Sequence, residues 1–393
     1  MSPGVLKKMV YAGANARSFE HASRDLAEQA ELAISAQRIM RATKRVGQER
    51  LRIRDAAVQR WQKLSLPDQQ RSPHEHVPQV ACIQVDGGRL QIRERLEEAP
   101  SPRGEKGFWR ESKVACLLRM HSQVHSVDPC PILPEGFANI ARMSHLCREI
   151  KGFSGAESPV EEPRGELDGA RCGQPRVLTR NVVAQRADLA EFGVHVAALA
   201  WECGFAAAPR KAFVADGQES NWTLWKRRFS HYTPILDFVH AVCYVFQAAA
   251  AARPLDEVAA VYRRWAQAVW SGRVREVIAE LESRQRELGE PREADPETHP
   301  RQIVAKTLRY LRNQALRMRY DEYRQQGLPI VSAYIESTIK QVNQRVKGSE
   351  KFWSEGGAEA LLQLAGDYLS ERLPLDQFWR NRPLTATGQR SYH

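Results

Sequence analysis

The protein has 393 residues, of which 42% are hydrophobic and 8% aromatic, and its 58 Lys and Arg against 47 Asp and Glu give a net charge of +11. This composition excludes a disordered chain, and the length allows two or three domains of roughly 150 residues. No stretch approaches the ~18 consecutive apolar residues of a membrane span, and the start lacks a secretory segment. The seven cysteines form no CxxC pair. We therefore expect a basic cytoplasmic protein with a polyanionic partner.

The first part of the chain carries a helical pattern. Residues 23–64 contain no proline and one glycine, and their apolar residues recur at helical spacing after Ser23, which suits an N-cap. Residues 1–80 hold 14 Lys and Arg against 8 Asp and Glu. We predict a basic N-terminal helical segment over residues 1–72, followed by a proline-rich linker.

A mixed sheet is predicted for the middle of the chain. VACIQVDGG at 80–88 followed by the alternating RLQIRE indicates a β-hairpin, and KVACLLR at 113–119 indicates a third strand. An apolar helix at 188–203 precedes two further strand candidates, KAFVADG at 211–217 and PILDFVH at 234–240. This order predicts an α/β fold with one mixed sheet.

The last third of the chain is predicted to be helical. Strand patterns stop after Tyr244, and the composition indicates a helical insertion over residues 249–326. A well-defined helix around Glu336 follows, with Pro329 in its first turn and Gly348 just past its end.

Three acids stand out by their context in this pattern. Asp86 closes the first apolar strand, Asp216 closes another, and Glu336 lies on the last helix. Each aspartate alone is equally well explained as a turn residue or a helix cap, and an acid on a helix is usually on its exposed face. Together, two strand-end acids and one helix acid form the carboxylate cluster that holds two divalent cations about 3.5 to 4 Å apart. Oxygen ligands of this kind suit Mg²⁺.

The helix around Glu336 adds a second indication. Glu336, Lys340, Asn343 and Lys347 share one helix face at i, i+4, i+7 and i+11. An acid beside cations suits a phosphate-bearing substrate. The alternative is an exposed Glu–Lys pair, worth only about 0.2 to 0.5 kcal/mol.

Several blocks of the sequence resemble a known family. The set is VDGGRLQIRE, GFWRESKVACLL, DPCPILPEGFANI, VADGQESNW, PILDFVHAVCYVF and YIESTIKQVNQRVKGSEKFW. In this order they resemble bacterial insertion-sequence transposases of the DDE class, specifically the ISKra group, over residues 18–383. The resemblance implies a ribonuclease H-like fold in which Asp86, Asp216 and Glu336 are the catalytic acids and bind two Mg²⁺ (or Mn²⁺) ions. It also implies metal-dependent cleavage at transposon ends and transfer of the freed 3′-OH into target DNA.

The resemblance further implies a domain order and partners. We expect a DNA-binding segment at 1–72, a catalytic core divided between 78–248 and 327–370, a helical insertion at 249–326 and a tail at 371–393. The expected partner is double-stranded DNA at the bacterial nucleoid, bound by a homo-oligomer of this chain. No membrane partner is expected. The candidate DNA contacts are Arg89, Trp222, Lys226, Arg227, Arg228, Lys340, Arg345 and Lys347.

Some alternatives stay open at this point. Asp237 is a rival second acid, although its apparent mid-strand position favours a structural role, and His240 beside it suits a core residue. Trp265 and Trp270 could stack on an unpaired base, but helix packing is favoured. A zinc site is disfavoured because the histidines and cysteines lack paired spacing, and they are His121, His125, Cys130, His145 and Cys147. Functional alternatives are a catalytically inactive or truncated transposase that regulates by binding DNA, and a ribonuclease H-like nuclease that cuts without joining.

Overall fold

A computed structural model describes residues 2–74, 77–93, 109–151, 174–251, 253–348, 350–372 and 374–382. The strands are β1 (Val80–Ile92), β2 (Trp109–His121), β3 (Arg176–Gln185), β4 (Arg210–Ala215), β5 (Thr233–Leu236) and β6 (Phe352–Trp353). The helices are α1 (Pro3–Asn15), α2 (Phe19–Ala30), α3 (Ala36–Gln62), α4 (Leu66–Gln69), α5 (Glu135–Ala138), α6 (Ile140–Lys151), α7 (Leu189–Glu202), α8 (Glu219–Arg228), α9 (Phe238–Ala250), α10 (Leu255–Trp270), α11 (Val274–Leu288), α12 (Pro300–Gln314), α13 (Tyr320–Gln325), α14 (Ala333–Val346), α15 (Glu355–Leu369) and α16 (Pro374–Asn381).

The six strands form one mixed sheet. Its order is β3–β2–β1–β4–β5, with β6 paired to the end of β1. β1, β2 and β3 are antiparallel, whereas β4 runs parallel to β1 and β5 runs parallel to β4. The prediction of a mixed α/β sheet is therefore confirmed.

The predicted hairpin after residue 88 is wrong, because β1 is a single 13-residue strand. β2 pairs with it from Val80 to Gln91, so the chain does not turn at the two glycines. A Cβ at Gly88 would lie 2.9 Å from Ser112 Oγ and 3.4 Å from Asn343 Oδ1. This glycine therefore leaves room for the side chain of Ser112, its pairing partner on β2.

Two further strand predictions also differ from the structure. β3 was not predicted, because only its second half is buried and its sequence lacks clean alternation. The candidate at 234–240 is a strand only as far as Leu236, since Asp237 caps α9 and Phe238 begins it. An apolar run of this length fits a buried helix as well as a buried strand.

The N-terminal helices pack against the end of the chain. The predicted helix over 23–64 is two helices, α2 and α3, separated at Glu31, whose φ of 54° is left-handed, and the cap of α2 is Ser18, not Ser23. Apolar residues of α1 to α3 share a core with Leu364, Leu375 and Phe378 of α15 and α16. The predicted N-terminal segment and the described part of the tail therefore belong to one packed unit.

The described residues of the region predicted as an insertion form helices α10 to α13 and their connections. Trp265 and Trp270 are each 1% exposed, which confirms the packing role for both. Pro329 precedes α14 and does not lie in its first turn, since the helix begins at Ala333. Among the described residues, no helix combines the length and apolarity needed to cross a membrane.

Candidate functional site

Three aspartates lie in one row across the parallel part of the sheet. The β1–β4 ladder ends at the pair of Gln84 with Val214, and the β4–β5 ladder ends at Ala215 with Leu236. Continuing both registers brings Asp86, Asp216 and Asp237 side by side, with about 4.8 Å between neighbouring strands. The expected position of Asp86 at the end of the first strand is wrong. Asp86 lies inside β1, because β2 pairs with β1 well beyond this residue.

The helix that carries Glu336 is held against this row by buried hydrogen bonds. Gln84 is fully buried, and its Nε2 donates to the carbonyl oxygen of Val331 at 3.0 Å while its Oε1 accepts the amide of Ile335 at 3.1 Å. These contacts fix the start of α14 above β1. They bring Glu336 to the row of aspartates, as predicted for a helix acid packed on the same sheet.

Each of the three predicted acids has one oxygen oriented by a neighbouring donor. Asp86 Oδ1 accepts the next backbone amide at 2.6 Å, and Asp216 Oδ1 accepts Asn221 Nδ2 at 3.0 Å. Glu336 Oε1 accepts Ser332 Oγ at 3.4 Å. Within the described residues, no hydrogen bond reaches the second oxygen of these three carboxylates. They are therefore oriented and still able to bind a cation.

Asp237 differs from the other acids because both of its oxygens are engaged. Oδ1 accepts the amide of Ser332 at 2.8 Å, and Oδ2 accepts both the amide of His240 at 3.0 Å and its ring Nδ1 at 2.6 Å. Asp237 thus caps α9 and ties it to α14, which supports the structural role favoured over that of a second catalytic acid. The expected mid-strand position is wrong.

The tightest group of possible metal ligands is not the predicted trio. Among the described residues, Asp237, His240 and Glu336 offer ligand atoms that all lie within 4.8 Å of one another. Asp86 and Asp216 lie outside this group but beside it. A metal-binding histidine commonly has its second ring nitrogen held by a carboxylate, and the Asp237–His240 pair has that arrangement.

The acids repel each other in this partly buried setting. Burial and then the charge of Asp216 raise the pKa of Asp86 to about 6. Burial and then the charge of Asp237 raise the pKa of Glu336 to about 7. Burial alone would lower the pKa of His240, but the hydrogen bond and charge of Asp237 raise it to about 9. A cation among these carboxylates would relieve their repulsion.

Three of the predicted DNA contacts are exposed on or next to the elements that carry Asp86 and Glu336. Arg89 is exposed on β1, three residues after Asp86, and this odd spacing places it on the opposite face of the strand from the Asp86 carboxylate. Lys340 and Lys347 are exposed on and just after α14, where Lys340 Nζ lies 3.7 Å from a carboxylate oxygen of Glu149. Lys347 Nζ lies 5.9 Å from the centre of the Trp109 ring.

Two of the predicted DNA contacts have side chains that lie inside the protein and offer little surface to DNA. Trp222 is 8% exposed, and the guanidinium carbon of Arg317 lies 4.4 Å from its ring centre. Arg345 is 4% exposed, and its Nε donates to the carbonyl oxygen of Gly13 at 2.9 Å. Arg345 therefore joins α14 to the N-terminal helices, and burial lowers its pKa to about 10.

The basic run Lys226, Arg227 and Arg228 is exposed but lies away from the acids. It forms the last turn of α8, whose first turn follows Asp216. A 10-residue helix is about 15 Å long. Cations in a last turn also stabilise the helix dipole, so these residues have a structural role independent of DNA.

The sequence carried little signal for Gln84 or for the residues that support Asp216. A single glutamine in an apolar strand is the only unusual feature of VACIQV. No known protein family matches the chain, and no curated protein matches it closely enough to count as a relative.

Proposed function

We propose that this protein is a DNA transposase of the DDE class with a ribonuclease H-like core. The observation that carries the proposal is the row of Asp86 and Asp216 with Glu336 above it, each with one oriented and one open carboxylate oxygen. The sheet adds support, since the ribonuclease H-like fold that the family resemblance implies has a mixed sheet, and the strands here form one.

The donor set fits divalent cations. Asp86, Asp216 and Glu336 would hold two Mg²⁺ or Mn²⁺ ions through oxygen ligands, which these hard cations prefer. When bound, such ions activate a water and stabilise the leaving oxygen of a phosphodiester. The chain itself orients the three carboxylates through donors on the adjacent turns, and Asp237 keeps α14 in place.

An exposed cation beside the acids would bind the DNA backbone. Lys340 lies one helical turn after Glu336. Arg89 lies on the opposite face of β1 from Asp86 and would contact DNA away from the carboxylates. Phosphate contacts of this kind position DNA and make its binding fall with salt. The net charge of +11 supports a polyanionic partner in general.

The test is cleavage and strand transfer on the DNA that flanks the gene. With Mg²⁺ or Mn²⁺ we expect nicking at inverted terminal repeats and joining of the 3′ ends to target DNA. Asp86→Asn and Glu336→Gln should abolish both steps, whereas Glu276→Gln, at an exposed glutamate of α11, should leave both unchanged. Cleavage that survives Asp86→Asn would refute the proposal.

The same assay separates the alternatives. Cutting without joining would indicate a nuclease. Tight binding to the repeats with no cleavage in either metal would indicate a DNA-binding regulator.

A further inference from the structure

The helical region between α9 and α14 reaches the turn that carries Asp216. The hydroxyl of Tyr310, on α12, donates to the carbonyl oxygen of Asp216 at 2.8 Å. Gln314, one helical turn later, donates from Nε2 to the carbonyl oxygen of Gly217 at 3.2 Å. Both carbonyls lie beyond the last pair of the β4–β5 ladder, Ala215 with Leu236. The two side chains therefore supply hydrogen bonds that the sheet does not.

The turn is shaped to receive Tyr310. Gly217 has a φ of +97°, and a Cβ there would lie 2.8 Å from a ring carbon of Tyr310. The tyrosine ring is itself stacked on Tyr244 of α9, with ring centres 3.8 Å apart and planes at 23°. This stacking fixes the hydroxyl at a set distance from β4.

The neighbouring strand end is held in the same way. Tyr320, a fully buried residue of α13, donates its hydroxyl to the carbonyl oxygen of Leu236 at 3.0 Å. Leu236 directly precedes Asp237. Donors from α12 and α13 thus reach the carboxyl ends of both parallel strands that carry aspartates of the row.

We propose that α12 and α13 form a clamp that sets the position of the Asp216 carboxylate, with Tyr310 as the principal positioning residue. The inference rests on the proposed function, because it assigns the clamp to cation binding by Asp216. Tyr310 does not reach the carboxylate itself. It holds the backbone from which that carboxylate projects. Replacing a residue that orients a metal ligand from outside the coordination shell typically weakens metal affinity by about 10- to 100-fold.

A purely structural role for Tyr310 predicts a different outcome. In that case its hydroxyl would contribute to folding, as that of Tyr262 does. Tyr262 is fully buried on α10 and donates to the carbonyl oxygen of Phe137 at 2.7 Å. Tyr262→Phe is therefore a matched control, since it removes one tyrosine-to-carbonyl hydrogen bond away from the acids.

The experiment measures Mg²⁺ and Mn²⁺ dissociation constants by titration calorimetry on the full chain, together with melting temperatures and metal-free DNA binding. We expect Tyr310→Phe to weaken metal binding about 10-fold and to leave DNA affinity unchanged. Gln314→Met, which lacks the donor, should weaken metal binding in the same direction. Tyr262→Phe should lower the melting temperature and leave metal binding unchanged.

Two results would overturn this inference but not the proposed function. One is that Tyr310→Phe and Gln314→Met both bind metal as tightly as the wild type. The other is that Tyr262→Phe loses as much metal affinity as Tyr310→Phe. A wild-type protein that binds neither cation would overturn the proposed function and this inference together.

Discussion

The side-chain oxygen of Gln84 accepts the backbone amide of Ile335 at 3.1 Å, across 251 positions of the chain. Its amide group donates to the carbonyl oxygen of Val331 at 3.0 Å, so one buried side chain ties β1 to the start of α14. Because Asp86 lies two residues after Gln84 and Glu336 directly follows Ile335, this contact sets the spacing of two candidate metal ligands.

We expect Gln84→Leu to destabilise the protein by about 2 to 3 kcal/mol, because two buried hydrogen bonds are lost and their backbone partners stay buried. Denaturant unfolding measures the change. Gln341→Leu is the control, since Gln341 is exposed on the same helix and such surface changes stay within about 0.5 kcal/mol. Equal stability of the Gln84→Leu variant and the wild type would contradict this role.

The ion pair of Arg50 and Asp367 should be essential for docking α3 on α15. Arg50 Nε lies 2.8 Å from Asp367 Oδ2, and both side chains are nearly buried. Asp367→Ala leaves a buried guanidinium without its partner, which typically destabilises a protein by about 3 to 5 kcal/mol.

Unfolding measurements test this, with Lys7→Ala as the control. Lys7 pairs with Asp376 at 3.4 Å, and both are about half exposed, so its loss should change stability by about 0 to 1 kcal/mol. Similar effects of the two substitutions would show that burial does not strengthen the Arg50 pair.

The contribution of His195 to stability should be lost as the pH drops from about 6.5 to about 4, opposite in sign to the contributions of Asp86 and Glu336, whose pKa values are raised. Burial and then the positive charge of Arg54 lower the pKa of this histidine from 6.5 to about 4 in the folded protein. Between these pH values His195 binds up to one more proton in the unfolded chain than in the folded protein. Its contribution to stability is therefore fully present above about pH 6.5 and is lost as the pH falls to about 4. In the folded protein the ring Nδ1 of His195 lies 2.5 Å from Gln185 Oε1.

We expect His195→Gln to change the dependence of the unfolding free energy on pH between pH 6.5 and 4, by removing a loss of about 2 kcal/mol or less after allowance for solvent screening. Unfolding curves at several pH values measure this. His145→Gln, at an exposed histidine of α6, is the control that should leave the slope unchanged. A slope that His195→Gln does not alter would rule out this histidine as its source.

Lys347 and Arg345 should respond in opposite ways, although they lie two residues apart. Lys347 is exposed just past the end of α14, so Lys347→Ala should weaken DNA binding, lower its dependence on log salt by about 1 and leave stability unchanged. Arg345 is buried against Phe19 and Gly13, so Arg345→Met should lower the melting temperature.

Fluorescence anisotropy at several salt concentrations measures the DNA affinity. Arg275→Ala removes an exposed cation of α11 and serves as the control for net charge. If Arg275→Ala weakens binding as much as Lys347→Ala, the effect of Lys347 is one of overall charge and not of position.

Local pattern was enough to predict that Asp86, Asp216 and Glu336 lie on neighbouring strands and a helix packed on them, and that the described residues of 249–326 are mainly helical. These features depend on residues a few positions apart, so apolar periodicity and strand-end position already carry them. The fold class followed from the same local elements taken in order.

Only the tertiary structure decided which side chains are inside and which strands continue. Asp237 became a cap whose oxygens hold α9 and α14, and Arg345 became a core residue, because each meets a surface contributed by a distant part of the chain. The two glycines after Asp86 remained in one strand because β2 pairs along its length. Burial and strand pairing depend on which surfaces meet, and neighbouring residues in the sequence do not contain that information.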